Sequence, residues 1–273
     1  MQAIDSTVNL NTNLTTQLTL YSSLSNNSNN NLDTTHTLII SHGLGARNPH
    51  LRTHKNDDWI KIINKPAEDA NTNQIYYTVR GHGDSLGWQD TAESDYTQFS
   101  WNKLSYDMLA IADYYNLSSF IACGSSMGSA TALYAAINQP ERVTAVIMIR
   151  PPTAWESRKD RRHVLLSSAK KCHDSNPSDE KYHHVVRAAA ETDLPPLDNP
   201  LYEKLTIPVL ILTVKGDISH PVSTAVALKE RLSTLVQLHI AESSEEADRV
   251  WPDVIRTFLI QVKSGTGSDT ITG

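Results

Sequence analysis

The segment best suited to chemistry is Phe120-Ile121-Ala122-Cys123-Gly124-Ser125-Ser126-Met127-Gly128. An apolar run enters Gly-x-Ser-x-Gly and passes directly into a helical pattern. Such a turn is sharp and strained. Its glycines let neighbouring backbones pass close by and leave the middle hydroxyl, Ser126, exposed above a sheet. The helix that follows starts with N–H groups that no carbonyl of its own can reach, and these favour negative charge. The pattern predicts Ser126 as a nucleophile.

Three further segments bear on that chemistry. Ser41-His42-Gly43-Leu44-Gly45 ends another apolar run, and a loop this rich in glycine can aim backbone N–H groups at a developing oxyanion. The expected donors are the amides of Leu44 and Met127. In Val79-Arg80-Gly81-His82-Gly83-Asp84-Ser85, His82 reads as a structural hydrogen-bonder in a tight turn. In Val214-Lys215-Gly216-Asp217-Ile218-Ser219-His220-Pro221, Asp217 follows a buried strand, where the acid of a triad belongs, and comes after the serine in chain order. Asp217 could instead cap the next helix.

These segments need a frame. Thr37 to Ser41, Ile75 to Val79, Phe120 to Cys123, Val143 to Ile149 and Val209 to Val214 are short, apolar on both faces and closed by Gly or Pro. That is the signature of parallel strands covered by helices. Helical spacing fills Trp101 to Tyr115, Ser126 to Asn138, Val222 to Leu232 and Glu245 to Val262. The alternation predicts an α/β fold, a doubly wound and mostly parallel sheet with its ligand at the carboxyl ends of the strands. Residues 152–204 break the rhythm: they hold no strand pattern, many charges and His163, His173, His183 and His184. They are expected to form a helical cap inserted in a core made of 1–151 and 205–273. The first 35 residues read as a pair of short strands around Val8-Asn9-Leu10 and Leu18-Thr19-Leu20-Tyr21, with Asn26 to Asn31 as a mobile polar loop.

The four segments, in this order, resemble the α/β-hydrolase superfamily from about residue 35 to the end, the insertion apart. Arg80 to Ser85 looks like the family's turn after its fourth strand, and Trp251 to Leu259 resembles its closing helix. The resemblance implies an esterase, lipase, C–C hydrolase, haloperoxidase-like or related activity. It also implies a histidine between the last strand, Val236 to Ala241, and the last helix. That loop, Glu242-Ser243-Ser244-Glu245-Glu246, has none, and no histidine occurs from residue 240 onwards.

A serine hydroxyl without an adjacent base is a weak nucleophile, so the base must come from elsewhere. His220 follows Asp217 and could turn towards the serine. His239 lies inside the last strand, where its side chain is held to one face. His42 lies in the oxyanion loop, where orienting backbone is the competing role. A histidine of the insertion, or Glu245 with a raised pKa, is a further substitute. The expected function is therefore a serine hydrolase of a small ester or related acyl substrate with a non-standard general base. The alternative is an inactive relative that binds a ligand or partner. His42, Gly43, Trp88 and Trp155 are expected to line the pocket, and Arg150 could meet an acidic substrate group or form a surface ion pair.

Composition narrows the field. A net charge of −6 over 273 residues gives no electrostatic reason to expect nucleic acid or an anionic membrane. The longest apolar runs fall far short of a membrane span, and the start lacks a secretory pattern, so a cytoplasmic location is expected. Two cysteines make no disulfide framework, and Cys123 reads as a buried reduced thiol. No cofactor or metal is expected, since the histidines show no ligand spacing with carboxylates. The expected partner is a small-molecule substrate.

Overall fold

The computed structural model describes residues 4–11, 15–23, 36–45, 60–82, 85, 96–175, 180–232 and 235–265. Eight strands form one sheet: β1 (Ile4–Asn11), β2 (Thr15–Ser23), β3 (Thr37–Ser41), β4 (Asn73–Tyr77), β5 (Phe120–Ser125), β6 (Val143–Ile149), β7 (Val209–Val214) and β8 (Val236–Ala241). Their spatial order is β1-β2-β4-β3-β5-β6-β7-β8. From β4 to β8 every pairing is parallel, while β2 joins β4, and β1 joins β2, in antiparallel register.

Period-two burial explains why helices cover both faces. Ile39, Ala122, Val146, Met148 and Ile211 point into one core with Leu104, Met108, Leu133 and Leu228. Their neighbours Leu38, Ile40, Ile121, Cys123, Ile147, Leu210 and Leu212 point into the other with Ile63, Trp251, Ile255 and Phe258. The first core takes α2 (Trp101–Tyr114), α3 (Met127–Asn138) and α7 (Val222–Arg231). The second takes α1 (Lys61–Asp69) and α8 (Ser244–Ser264). Cys123 is a buried free thiol, as expected, and burial pushes its pKa well up.

The chain enters the parallel part at β3, adds β4 on one side, then crosses back to place β5 on the other. The direction of winding reverses between β3 and β5. In open α/β sheets the crevice outside the carboxyl ends at such a point is the natural ligand site. The Gly43 and Ser126 turns both leave the sheet there.

Between β6 and β7 the chain holds α4 (Trp155–Ser175), α5 (Glu180–Glu191) and the short α6 (Leu201–Lys204). Arg162 of α4 forks onto the carboxylate of Glu191 of α5 at 2.6 to 3.0 Å, tying the two helices together. The predicted strand over Ile75 to Val79 begins two residues earlier, at Asn73, because Asn73 and Gln74 are already buried in register with Thr37 and Leu38. Helix α1, which contains Pro66, has no counterpart among the helices read from sequence. The segment Asn26 to Asn31 lies outside the described residues.

Candidate active site

Ser126 stands between β5 and α3 at φ 54 and ψ −118, a backbone region that non-glycine residues rarely occupy. Two close approaches hold it there. A Cβ on Gly124 would lie 2.2 Å from the backbone of Gly128, and one on Gly128 would lie 2.2 Å from the Ser41 carbonyl oxygen. Only hydrogen fits at either position, so the glycines of the motif are steric requirements of this turn. The Ser126 amide donates to the Ile149 carbonyl at 2.9 Å, and the Ser126 carbonyl accepts from the Ser129 hydroxyl at 2.6 Å.

The loop after β7 supplies both remaining polar partners. One Asp217 carboxylate oxygen accepts the backbone N–H of Ser219 at 3.0 Å and of His220 at 3.2 Å, closing a tight turn. The other faces Nδ1 of His220 at 2.9 Å. Nε2 of His220 is 2.8 Å from Oγ of Ser126. The carboxylate fixes the tautomer: Nδ1–H donates to Asp217, which leaves Nε2 to accept the serine proton. The contact with His220 and the turn amides, with Arg150 adding its charge, hold the Asp217 carboxyl down at about 2.

Arg150, at the end of β6, reaches Asp217 at 3.4 Å, donates to the Ser244 hydroxyl at 3.0 Å and lies over the Trp251 ring. Arg150 thus forms an ion pair, and its partner is Asp217. Ser244, the first residue of α8, lies in the stretch where the family resemblance implies a histidine.

The other candidate bases lie elsewhere. His42 is 2% exposed, and both of its ring nitrogens are engaged. Nδ1–H donates to the Gly43 carbonyl at 2.7 Å, and Nε2 accepts the Val79 N–H at 2.9 Å. Burial, with the nearby His82, pushes its pKa down to about 3. His42 is thus a neutral brace for the β3 loop, and it is absent from the walls of the cavity at Ser126. His239 sits in β8 opposite Leu212, and its charge neighbour is Lys229 of α7. Glu245 is exposed in the first turn of α8, and its hydrogen bond with Ser243 lowers its pKa, the opposite of what a base needs. His163 is exposed on α4 and His184 is buried in α5. The side chains of His173 and His183 lie outside what is described.

His82 holds the same β3 loop from the other side. Its Nε2 accepts the Gly45 N–H at 3.2 Å, and its ring stands edge-on to His42 at 4.8 Å. Two imidazoles therefore pin the loop that carries Leu44. Gly43 abuts Ser126: a Cβ there would lie 3.2 Å from that of Ser126.

A cavity of about 200 Å³ opens at Ser126, walled by Leu44, Met127 and His220 below and by Arg158, Arg161 and Leu165 of α4 above. Trp155 is not in it. Its indole N–H donates to the Pro195 carbonyl at 2.9 Å, and the ring lines a separate cavity of about 770 Å³ with Tyr96, Tyr134 and Asp193. Its backbone explains the displacement: φ of 52 at Trp155 turns the start of α4 towards Asp193, which accepts the Trp155 amide at 3.0 Å. Trp88 lies outside the described residues. Arg158 and Arg161, which the sequence reading did not single out, share one helix face three residues apart, a spacing that could have flagged them.

Residues 36–210 match the family model described as the alpha/beta hydrolase fold. The chain belongs to the α/β-hydrolase fold family. No curated protein matches the sequence. Among solved structures, this α/β-hydrolase resembles a proline iminopeptidase from Mycobacterium smegmatis, at 14% identity and a TM-score of 0.67, over 96% of this chain and 100% of that one. A thermophilic esterase from Thermogutta terrifontis is 16% identical with a TM-score of 0.64, over 96% and 99% of the two chains. An enol-lactonase from Burkholderia xenovorans is 15% identical with a TM-score of 0.60, over 90% and 97%. At these identities the likeness is one of fold. Among the described residues no helix of the chain is long and apolar enough to cross a membrane.

Proposed function

We propose that this protein is a serine hydrolase of a small ester or related acyl substrate, with Ser126 as nucleophile, His220 as general base and Asp217 as the acid that orients it. The observation that carries this reading is the unbroken chain of hydrogen bonds from Ser126 Oγ through His220 to Asp217, at 2.8 and 2.9 Å. An imidazole within hydrogen-bond reach of Ser126 supports the hydrolase over the reading of an inactive relative.

In the proposed reaction His220 Nε2 takes the Ser126 proton as Oγ attacks the substrate carbonyl carbon. The amides of Leu44 and Met127, both on the cavity wall, receive the oxyanion. Collapse breaks the bond to the leaving group, which receives from His220 the proton that Ser126 gave up. Water then repeats the sequence on the acyl-serine, releasing the acid and restoring the hydroxyl. The names of the esterase, lactonase and iminopeptidase of like fold denote acyl-cleaving enzymes, which supports this class of chemistry. Arg158, Arg161 and Leu165 of α4 and Ala189 of α5 roof the cavity, which supports residues 152–204 as a cap on a core of 1–151 and 205–273.

The test is covalent labelling with a serine-reactive fluorophosphonate, located by peptide mass spectrometry. One adduct on Ser126, absent from Ser126→Ala, is the expected result. A folded wild-type protein that takes no label contradicts the proposal.

A further inference from the structure

We propose that the cavity at Ser126 recognises a carboxylate on the acyl part of the substrate through Arg158, with Arg161 beside it, so that the preferred substrates are half-esters of short dicarboxylic acids. This deepens the hydrolase reading and rests on it for the chemical step.

Arg158 is 7% exposed, a depth at which arginine is almost always paired. Its Nε donates to the Thr192 carbonyl at 3.1 Å, one terminal nitrogen donates to the Thr153 hydroxyl at 3.3 Å, and the guanidinium lies over the Trp101 ring at 4.5 Å. The other terminal nitrogen, Nη2, is buried with no partner. Among the described residues no carboxylate lies within ion-pair distance of it. The nearest acidic influence, Asp193, spends its oxygens on the amides of Trp155 and Leu194. Burial, only partly offset by Asp193, lowers the Arg158 pKa to about 10, which leaves it a cation at neutral pH.

The surroundings add positive charge. Arg161, one helical turn on, lines the same cavity and donates to the Ser219 hydroxyl at 3.1 Å, and it opposes the Arg158 charge. Among the described residues no Asp or Glu lines the cavity. By contrast Arg162, on the outer face of the same helix, is paired with a carboxylate, that of Glu191, through Nε and Nη2. A buried cation with an unused N–H is costly unless something completes it. A planar carboxylate suits the guanidinium fork. A cavity of about 200 Å³ that also holds Ser126 leaves room for a short acyl chain between the two groups.

The experiment compares p-nitrophenyl monoesters of succinate, glutarate and adipate with their uncharged methyl-ketone isosteres. Wild type, Arg158→Met, Arg158→Lys and Arg161→Gln are tested, and binding of the free diacids is followed by calorimetry. In wild type at least one half-ester should exceed its isostere in kcat/KM by about 10- to 100-fold, the range for a hydrogen bond to a charged group. The ratio should fall to about 1 in Arg158→Met and to an intermediate value in Arg158→Lys, which keeps the charge but not the fork. If Arg158→Met does not fold, Arg158→Lys and Arg161→Gln decide, and an unchanged ratio in both overturns the inference. Ester hydrolysis with ratios near 1 and no diacid binding overturns the anion site and leaves the hydrolase standing. Diacid binding that is lost in the Arg158 variants, with no hydrolysis of any ester, sustains the anion site and sinks the hydrolase.

Discussion

The carboxylate of Asp217 meets the imidazole of His220 across three residues of one loop, with Oδ2 2.9 Å from Nδ1. Carboxylate and imidazole thus arrive at Ser126 together, on the carboxyl end of β7, while Ser244, at the start of α8, holds Arg150. The same turn that orients the carboxylate, through the amides of Ser219 and His220, also positions the ring it orients.

Replacing Asp217 by Asn should therefore leave His220 close to Ser126 but in the wrong tautomer. An expected fall of about 10³- to 10⁴-fold in kcat for a p-nitrophenyl ester follows from the loss of that orientation. Steady-state kinetics of Asp217→Asn, beside a thermal melt to show folding, measure it. A loss below tenfold would mean that the carboxylate caps the turn and no more.

The brace at His42 gives a stability prediction with a sign. Its folded pKa, about 3, lies below its ordinary value, so the unfolded chain takes up a proton that the folded one refuses. His42 contributes fully above about pH 6.5, and that contribution is lost as pH falls towards about 3, at up to ~1.4 kcal/mol per pH unit. His42→Gln should cost about 1–3 kcal/mol at neutral pH through the buried partners left unmatched. Its stability should also decline less steeply in acid. Urea titrations of both proteins between pH 7 and pH 4 compare the slopes; parallel slopes would show that His42 is not the neutral brace described.

Two glycines should behave differently for separate reasons. At Gly128 an added Cβ would meet the Ser41 carbonyl oxygen at 2.2 Å, with backbone on both sides of the contact. Gly128→Ala should therefore lose about 4 kcal/mol or more, or fail to fold. Gly216, at φ 76, has nothing within 4 Å of such a Cβ. Gly216→Ala should cost only the left-handed backbone, about 1–2 kcal/mol. Equal midpoints in urea would remove the steric argument for the turn.

Much of this frame was legible because it is written in local patterns. The apolar runs ending in Gly43, Gly124 and Gly216 locate three of the strand ends at the site, and Gly124 and Gly128 state the shape of the turn between them. His220 was legible as a candidate and no more, since the two residues between it and Asp217 do not say which way a ring points. The Asx turn that aims it depends on backbone hydrogen bonds made by Asp217. Trp155 was placed in the wrong cavity because its direction follows a positive φ and the distant acceptor Asp193, neither visible in periodicity. The ion pair of Arg80 with Asp107, 2.7 Å apart and buried, joins residues far apart in the chain. Arg158 looked like one of many charges in a polar helix, and only its burial against Trp101 distinguishes it.

The most direct measurement of the proposed triad is p-nitrophenyl butyrate hydrolysis by wild type, His220→Ala and His239→Ala. The expected result is a fall of about 10³-fold or more in kcat/KM for His220→Ala and near wild-type rates for His239→Ala. Activity that survives in His220→Ala would contradict the assignment of His220 as the base and return the search to the other histidines.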